Sequence, residues 1–323
     1  MGEIDRGPAE PRYVGRFAPS PTGPLHFGSL VAALGSYLDA RAHHGRWLVR
    51  IEDLDPPRER VGAADEILRT LEALDLHWDG PVLRQSQRTS AYAAALARLS
   101  ERNLLHACAC TRSEVAALPE NRAREPSAAD ELFHPRRCPV HRSPATRPPG
   151  QAWRLRVPSG LVTFADRSLG AQSVDVAASV GNFVLRRRDG LFAYQLAVVV
   201  DDAHQGVTDV VRGCDLLTST ARQILLQQAL GLPSLRYLHL PLAVDDRGRK
   251  LSKSGDAPAA DRSTPAARLV AVLEFLGQAP PPELKDGSAR EVLDWAQAHW
   301  RVTGFAGRAA GTAPLGEFAG TAG

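Results

Sequence analysis

The stretch RFAPSPTGPLHFGS, residues 16–29, combines residue types that shape a loop around an anion. Its prolines fix the backbone, and its glycines let another group approach the main chain closely. His26 ends the loop, and the segment that follows has apolar residues at helical spacing. Because the first N–H groups of a helix are unpaired, a phosphate group is favoured there. His26 could donate to that phosphate or, alternatively, bond only to its own loop.

Two lysines form a second candidate phosphate-binding element. Lysine occurs at only three positions among 39 basic residues, yet Lys250 and Lys253 both lie in GRKLSKSG, residues 248–255. A compact ammonium on a flexible stem suits a loop that contacts phosphate, whereas the alternative is a basic surface turn. The motifs GxxxxGK[ST] and GxGxxG do not occur in the sequence, which argues against a P-loop or a dinucleotide site.

The elements around these loops predict an α/β fold. RYVGRFA and RWLVRIED have the composition of strands, and helical periodicity follows each of them. This alternation predicts a parallel sheet with helical crossovers. In the middle of the chain, LVTFAD and NFVLRRRDGLFAYQLA predict short strands and a hairpin that turns at RDG. GVTDVVRG and RYLHLPLA then predict further strands, so the sheet is expected to be split by an inserted segment.

Composition excludes several classes of protein. With 323 residues and 44% apolar residues, the chain has the size and composition of a globular protein with more than one domain. No run of eighteen apolar residues and no apolar signal-peptide core occur, so no membrane partner and a cytoplasmic location are expected. The net charge is only +3, so any contact with nucleic acid is expected to come from a local patch.

Five motifs in order carry a resemblance to a known family. PSPTGPLHFGS resembles the HIGH motif of class I aminoacyl-tRNA synthetases, and KLSKS, residues 250–254, resembles their KMSKS loop. RFAPSPTG, RIEDLD and VVRGCDLL are similar to motifs of the glutamate subgroup. Ser29 replaces the second histidine of HIGH, and Leu251 replaces the methionine of KMSKS. The resemblance implies a class I Rossmann-type parallel sheet, split by an inserted zinc-containing subdomain and followed by a short α-helical region.

The resemblance also implies the reaction. The α-carboxylate of L-glutamate attacks the α-phosphate of ATP, which is bound with Mg²⁺, and glutamyl-adenylate forms. His26 and Lys253 are expected to be catalytic because they supply positive charge to the phosphate in the transition state. The residues expected to bind ATP are His26, Gly28, Lys250 and Lys253.

Glutamate carries one ammonium and two carboxylates, so its pocket needs an anion and at least one arginine. The resemblance implies a glutamate site made of Arg16, Phe17, Ala18, Pro19, Ser20, Glu52, Tyr194 and Arg212. Glu52 is expected to take the amino group, and the two arginines to take the carboxylates. Arg16 is favoured for the side-chain carboxylate, but the sequence does not assign the two arginines.

The cysteines predict a structural zinc site. Relatives of this kind carry C-x-C followed by a tyrosine four residues before a third cysteine, and they bind zinc. Here the resemblance implies one Zn²⁺ held by Cys108, Cys110, His134 and Cys138, a closed tetrahedral set. His141 is a rival fourth ligand, and reduced thiols on a loop are the alternative to any site.

The end of the chain separates branches of the family. Only 69 residues follow Ser254, too few for the anticodon-binding region of a glutamyl-tRNA synthetase. This layout resembles the truncated branch, a monomer that activates glutamate without tRNA and transfers it to queuosine in the anticodon loop of tRNA(Asp). The alternatives are a short glutamyl-tRNA synthetase that charges a tRNA 3′ end and a non-catalytic paralogue that binds tRNA or glutamate.

The expected domain division follows from these motifs. It comprises a flexible N-terminus (1–11), the first half of the catalytic domain (12–106), an inserted subdomain with the zinc site (107–190), the second half with the KLSKS loop (191–255), a short helical region (256–304) and a flexible tail (305–323).

Overall fold

The computed structural model describes residues 13–122, 132–135, 150–248 and 264–313. Its strands are Val14–Phe17 (β1), Arg46–Ile51 (β2), Leu83–Arg84 (β3), Leu105–Cys108 (β4), Ala152–Leu155 (β5), Leu161–Asp166 (β6), Gly170–Asp175 (β7), Val184–Arg186 (β8), Asp209–Gly213 (β9), Arg236–Leu240 (β10), Leu242–Val244 (β11) and Ala310–Thr312 (β12). Its helices are Phe27–Ala42 (α1), Ala63–Ala73 (α2), Thr89–Glu101 (α3), Arg112–Ala116 (α4), Pro119–Arg122 (α5), Val176–Ser179 (α6), Tyr194–His204 (α7), Leu217–Leu230 (α8), Pro265–Phe275 (α9) and Ala289–His299 (α10).

Two groups of parallel strands meet where β1 lies beside β9. On one side β1 pairs with β2, and β2 pairs with β3. On the other side β9 pairs with β10, and β10 pairs with β6. The main-chain N–H of Thr208 donates to the carbonyl oxygen of Val14 at 2.9 Å and joins the two groups. The strand order therefore reverses at β1 and β9, where sheets of this kind bind ligands beyond the carboxyl ends of the strands.

Helix α1 packs directly on the sheet below this point. Apolar residues at helical spacing, among them Leu30, Leu34 and Leu38, are buried in the main hydrophobic core. A Cβ atom at Gly35 would lie 2.6 Å from Cδ1 of Leu240 on β10, so glycine lets α1 pack closely against this side chain. This contact fixes the middle of α1 relative to β10, and His26 is the N-cap of the same helix.

A second core lies between the inserted segment and the rest of the catalytic domain. Strands β4, β5 and β8 form an antiparallel sheet. Buried residues of this sheet and of α3, α7 and α8 form one cluster, which includes Tyr92, Trp153, Leu185, Leu196 and Leu226. The insert is therefore packed against the catalytic domain through a continuous apolar surface.

Three details differ from the sequence-based expectation. The residues YQLA, expected to end a hairpin strand, instead begin helix α7. The aromatic residues of the preceding LFAY favour a strand, so the local composition did not indicate the start of the helix. Residues 161–175, placed by the sequence in the inserted subdomain, form β6 and β7, and β6 pairs with β10 of the catalytic sheet. Local patterns could not show this because the pairing joins distant segments.

The third difference concerns the C-terminal tail, which was predicted to be flexible from residue 305. Phe305 is buried, and β12 pairs in parallel with β11. The N–H of Gly307 donates to the carbonyl oxygen of Ser168 at 2.8 Å. Residues 305–313 are thus part of the fold, because a Gly- and Ala-rich segment can lie flat against a strand edge. Residues 1–12 and 314–323 lie outside the described residues.

Among the described helices, none is both long and apolar enough to cross a membrane.

Candidate active site

A cavity of about 350 Å³ opens beyond the carboxyl ends of β1 and β9. Its walls come from the loop between β1 and α1, the end of β2, the start of α7 and the end of β9. Every residue that the sequence assigned to the glutamate site lines it, namely Arg16, Phe17, Ala18, Pro19, Ser20, Glu52, Tyr194 and Arg212. His26 and Gly28 line the same cavity. The fold therefore brings the glutamate-site residues and the predicted phosphate-binding loop into one space.

The base of the cavity is a buried charge network centred on Asp202 of α7. Oδ1 of Asp202 accepts hydrogen bonds from Nε of Arg16 at 3.1 Å and from Nη1 of Arg50 at 2.7 Å. Nη1 of Arg16 also donates to the carbonyl oxygen of Val211 at 3.3 Å. Burial alone would raise the pKa of Asp202, but the two arginines hold it below its usual value. Arg16 is thus fixed along one edge, and its Nη2 makes no hydrogen bond to any described residue.

Glu52 lies next to this network and titrates near neutrality. Its Oε1 accepts a hydrogen bond from Nη2 of Arg50 at 3.3 Å. Burial raises the pKa of Glu52 to about 7, with Asp202 adding to the effect and Arg50 and Arg16 opposing it. An ammonium group placed in the cavity would favour the carboxylate form, so Glu52 is suited to bind the amino group of an amino acid.

Arg212 is held by three side chains and one main-chain group. Its Nη1 donates to Oε1 of Gln223 at 2.7 Å, and its Nη2 donates to Oγ1 of Thr220 at 2.8 Å and to the carbonyl oxygen of Leu216 at 3.4 Å. Its Nε contacts Nε2 of His239 at 3.3 Å. Among the described residues, only one N–H of Nη1 remains without a partner, so Arg212 presents its charge and a single donor to the cavity.

Tyr194 stands at the first position of α7, half-buried, where it lines the cavity between these charges. Burial raises its pKa, and the charge of Glu52 adds to the effect, so its hydroxyl stays protonated at neutral pH.

His26 caps helix α1. Its Nδ1 accepts a hydrogen bond from the main-chain N–H of Ser29 at 3.3 Å. The loop-bonding role considered for His26 in the sequence is therefore present. Because Nδ1 accepts, the proton of the neutral ring is on Nε2, which is then a donor suited to a phosphate oxygen. The two roles of His26 are compatible.

The predicted lysines and two of the cysteine-site residues lie outside the described residues. These are Lys250, Lys253, Cys138 and the rival ligand His141. Their roles stay predictions.

Cys108, Cys110 and His134 come together at the edge of the inserted sheet. One potential ligand atom from each lies within 4.8 Å of those from the other two. Burial alone would raise the pKa of Cys108, but hydrogen bonds to His134 and Cys110 lower it to about 6, so the thiolate that metals require is accessible. Two thiolates and an imidazole fit zinc chemistry and leave a place for a fourth ligand.

Gly181 fixes His134 in this cluster. The N–H of His134 donates to the carbonyl oxygen of Val180 at 2.9 Å, and the N–H of Asn182 donates back to His134 at 3.0 Å. Gly181 has φ 69°, and a Cβ atom there would lie 1.9 Å from the carbonyl oxygen of His134. Only glycine allows this contact, which ties the metal cluster to the segment directly before β8.

A second cavity of about 770 Å³ adjoins the first and was not predicted from the sequence. The two share Ser20, Glu52, Tyr194 and Leu216. The residues that line this second cavity include six arginines: Arg58, Arg112, Arg154, Arg187, Arg188 and Arg222. The run of three arginines at 186–188 is the sequence feature that could have indicated this cavity. Whether those side chains line a cavity, however, depends on how β8 packs. The lining also contains the three carboxylates Glu52, Asp55 and Asp189, so the arginines leave it with an excess of positive charge, which favours an anionic ligand.

Comparison with known proteins agrees with this geometry. Residues 13–263 match the family model described as tRNA synthetases class I (E and Q), catalytic domain. The chain is 56% identical over 288 residues to the glutamyl-Q tRNA(Asp) synthetase of Dechloromonas aromatica, covering 89% of this chain and 94% of the relative. It is 52% identical over 299 residues to the protein of the same name from Aromatoleum aromaticum, covering 91% and 90% of the two chains.

A solved structure shows the same likeness. The glutamate tRNA ligase of Elizabethkingia meningosepticum, determined with its amino acid, superposes with a TM-score of 0.73 at 25% identity. The superposition covers 95% of this chain and 68% of the ligase.

Proposed function

The chain belongs to the class I tRNA synthetases of the glutamate and glutamine type, and we propose that it activates L-glutamate with ATP and transfers it to queuosine of tRNA(Asp). The observation that carries the proposal is the shared cavity. It places two buried arginines and one carboxylate next to the capped N-terminus of α1. The names of the relatives that align over nearly their whole length support the acceptor.

The first step is the formation of glutamyl-adenylate. The Glu52 carboxylate binds the ammonium of glutamate, and Arg16 and Arg212 bind its two carboxylates. An α-carboxylate oxygen attacks the α-phosphorus of ATP, the bond to the leaving pyrophosphate breaks, and the acyl-phosphate bond forms. Nε2–H of His26, Lys250 and Lys253 stabilise the charge that develops on the phosphates. ATP is expected to enter with Mg²⁺, which would shield the negative charge of the pyrophosphate.

The second step uses the adjoining cavity. We place the acceptor nucleoside and its flanking phosphates against the six arginines, since arginine recognises phosphate with a planar array of donors. The two cavities share Glu52 and Tyr194. An acceptor hydroxyl in the second cavity can therefore reach the adenylate while the adenylate stays bound in the first. That hydroxyl attacks the glutamyl carbonyl carbon, an ester forms, AMP leaves, and the hydroxyl proton passes to the phosphate.

The metal cluster is assigned a structural role. Cys108, Cys110 and His134 would hold one zinc ion, with Cys138 as the fourth ligand and His141 as its rival. The cluster joins the end of β4 to residue 181 and would fix the insert that forms one wall of the second cavity. We retain the proposed division into catalytic halves and insert, with β6 and β7 assigned to the catalytic sheet.

The alternative function is the charging of a tRNA 3′ end, which the structural likeness to a glutamate tRNA ligase favours. The first experiment is therefore amino-acid-dependent exchange of pyrophosphate into ATP without tRNA. We expect exchange with L-glutamate and much less with L-glutamine or L-aspartate, because Glu52, Arg16 and Arg212 match one ammonium and two carboxylates at a set distance. Exchange that requires tRNA contradicts the proposal.

A further inference from the structure

A buried histidine stands behind Arg212. His239 on β10 is the register partner of Arg212 on β9, and its side chain is fully buried. Nothing in the reaction proposed above uses it. Because His239 lies on the strand next to a positively charged arginine, its own protonation state affects how that arginine is held.

One ring nitrogen of His239, Nδ1, is hydrogen-bonded to the carboxylate of Asp166. Its Nδ1 lies 2.7 Å from Oδ2 of Asp166, and its main-chain N–H donates to the same oxygen at 3.1 Å. Asp166 also accepts from the N–H groups of Ser168 and Leu169, at 3.0 and 2.9 Å. Asp166 is therefore an acceptor with a fixed orientation, and Nδ1 carries the proton.

The other ring nitrogen, Nε2, faces the N–H of an arginine and a hydroxyl group. Nε of Arg212 lies 3.3 Å from Nε2 of His239, and Oγ1 of Thr220 lies 3.2 Å from it. Because Nε of an arginine can only donate, Nε2 has to be an unprotonated acceptor. A proton on Nε2 would oppose the N–H of Arg212 and add a positive charge beside the guanidinium. The ring of Tyr237 stacks on the imidazole, with 6.4 Å between the ring centroids, and Asp215 is a further charged group near the ring.

We infer that Asp166 and His239 form a tautomer lock that positions Arg212 for substrate. Asp166 holds the proton of His239 on Nδ1, and Nε2 then accepts from Nε of Arg212 and sets the rotation of the guanidinium. His239 is a positioning residue in this arrangement and does not touch substrate. The inference rests on the proposed function, since it deepens the role of Arg212 in glutamate binding.

Two substitutions separate the two ring nitrogens. In His239→Asn the amide nitrogen can replace Nδ1 and donate to Asp166, but nothing replaces Nε2. In His239→Gln the amide oxygen can reach the position of Nε2 and accept from Arg212. We expect His239→Asn to raise the KM for glutamate by about tenfold or more, because a buried hydrogen bond to a charged group is lost. The KM for ATP should change little, and His239→Gln should recover most of the glutamate affinity.

The chain offers a matched control. His77 and Asp75 form a histidine–aspartate pair of the same length, 2.7 Å, in the exposed segment that follows α2. His77→Asn should leave the KM for glutamate unchanged. Asp166→Asn should behave like His239→Asn, because an amide at position 166 can donate to Nδ1 and shift the proton of His239 to Nε2.

Nuclear magnetic resonance of ¹⁵N-histidine-labelled wild-type protein reads the tautomer without any substitution in the site. We expect the His239 signal, assigned with His239→Gln, to show a protonated Nδ1 and an unprotonated Nε2. A protonated Nε2 overturns the inference, as does a glutamate KM in His239→Asn equal to that in His77→Asn, or a His239→Gln variant as impaired as His239→Asn. If the wild-type protein does not activate glutamate, the proposed function fails, and the resonance measurement alone decides the tautomer.

Discussion

Asp202 fixes Arg16 through a single buried oxygen: Oδ1 of Asp202 accepts from Nε of Arg16 at 3.1 Å while also accepting from Arg50. The contact holds one edge of the Arg16 guanidinium, and Nη2 makes no hydrogen bond to any described residue. Both side chains are about 4% exposed or less, so neither exchanges this partner for water. An arginine held in this way is pre-organised for a carboxylate, which lowers the entropy cost of binding glutamate.

Asp202→Asn should therefore weaken glutamate binding. Removing one charge from a buried network leaves the arginines uncompensated and costs about 3–5 kcal/mol when the pair is broken outright. We expect a lower melting temperature and a KM for glutamate raised by more than about tenfold, with the KM for ATP little changed.

Asp209→Asn is the control for this variant. Asp209 is equally buried, and it binds Arg236 through two hydrogen bonds of 2.8 and 2.7 Å, away from the cavity. It should lower the melting temperature without changing the KM for glutamate. Equal effects of both variants on that KM would mean that Asp202 acts only through stability.

The pKa of Glu52 predicts how glutamate binding depends on pH. Burial raises this pKa to about 7 in the free protein, so the carboxylate that pairs with the substrate ammonium is lost as pH falls below 7. The KM for glutamate should rise between pH 8 and pH 6, approaching about tenfold per pH unit on the acid side. Glu52→Gln should have a high KM that varies much less over the same range. A KM of the wild type that does not change with pH would contradict the assigned role.

Substitutions at His26 can separate its role as the cap of α1 from its proposed role as a donor to phosphate. Asparagine at position 26 can still cap α1, because Asn is a favoured cap residue, but it has no equivalent of Nε2. His26→Asn should keep the melting temperature near that of the wild type and lower glutamate-dependent pyrophosphate exchange about a hundredfold. His26→Ala should lower both quantities. If His26→Asn exchanges at the wild-type rate, His26 is a helix cap alone.

Elemental analysis tests the metal cluster. Protein purified without chelators should contain about one zinc per chain, since the ligand set is of the structural type. Cys108→Ser and His134→Ala should lower this content, and Cys214→Ser, at a cysteine outside the cluster, should not. Wild-type protein that contains no metal would contradict the predicted zinc site. Full zinc content in His134→Ala together with loss in His141→Ala would identify His141 as the ligand.

Much of the catalytic half was predictable because its signals are local. The helix α1, the strands β1 and β2, and the Pro/Gly loop between them follow from periodicity and from residues that restrict or free the backbone. The resemblance to one family grouped Arg16, Glu52 and Arg212, and all three line one cavity at the carboxyl ends of β1, β2 and β9.

The supporting residues were not predictable in the same way. Asp202 lies in helix α7, which the sequence analysis did not predict. Asp166 and His239 lie 73 positions apart and meet only because β6 pairs with β10. The second cavity depends on how β8 packs against α7 and α8. These relationships are set by tertiary packing, and no local pattern carries them.

The most direct test of the proposed function is to find which atom of which tRNA receives the glutamate. The protein is incubated with ATP, ¹⁴C-glutamate and tRNA from cells with and without queuosine. Label should appear on tRNA(Asp) only when queuosine is present, should transfer equally to an isolated anticodon stem-loop, and should remain after the 3′-terminal adenosine is removed. Transfer should weaken as salt rises, because the arginine-lined cavity contacts phosphates. If the label leaves with the 3′ adenosine, or if tRNA(Glu) is the preferred acceptor, the proposed function is wrong and the chain is a short glutamyl-tRNA synthetase.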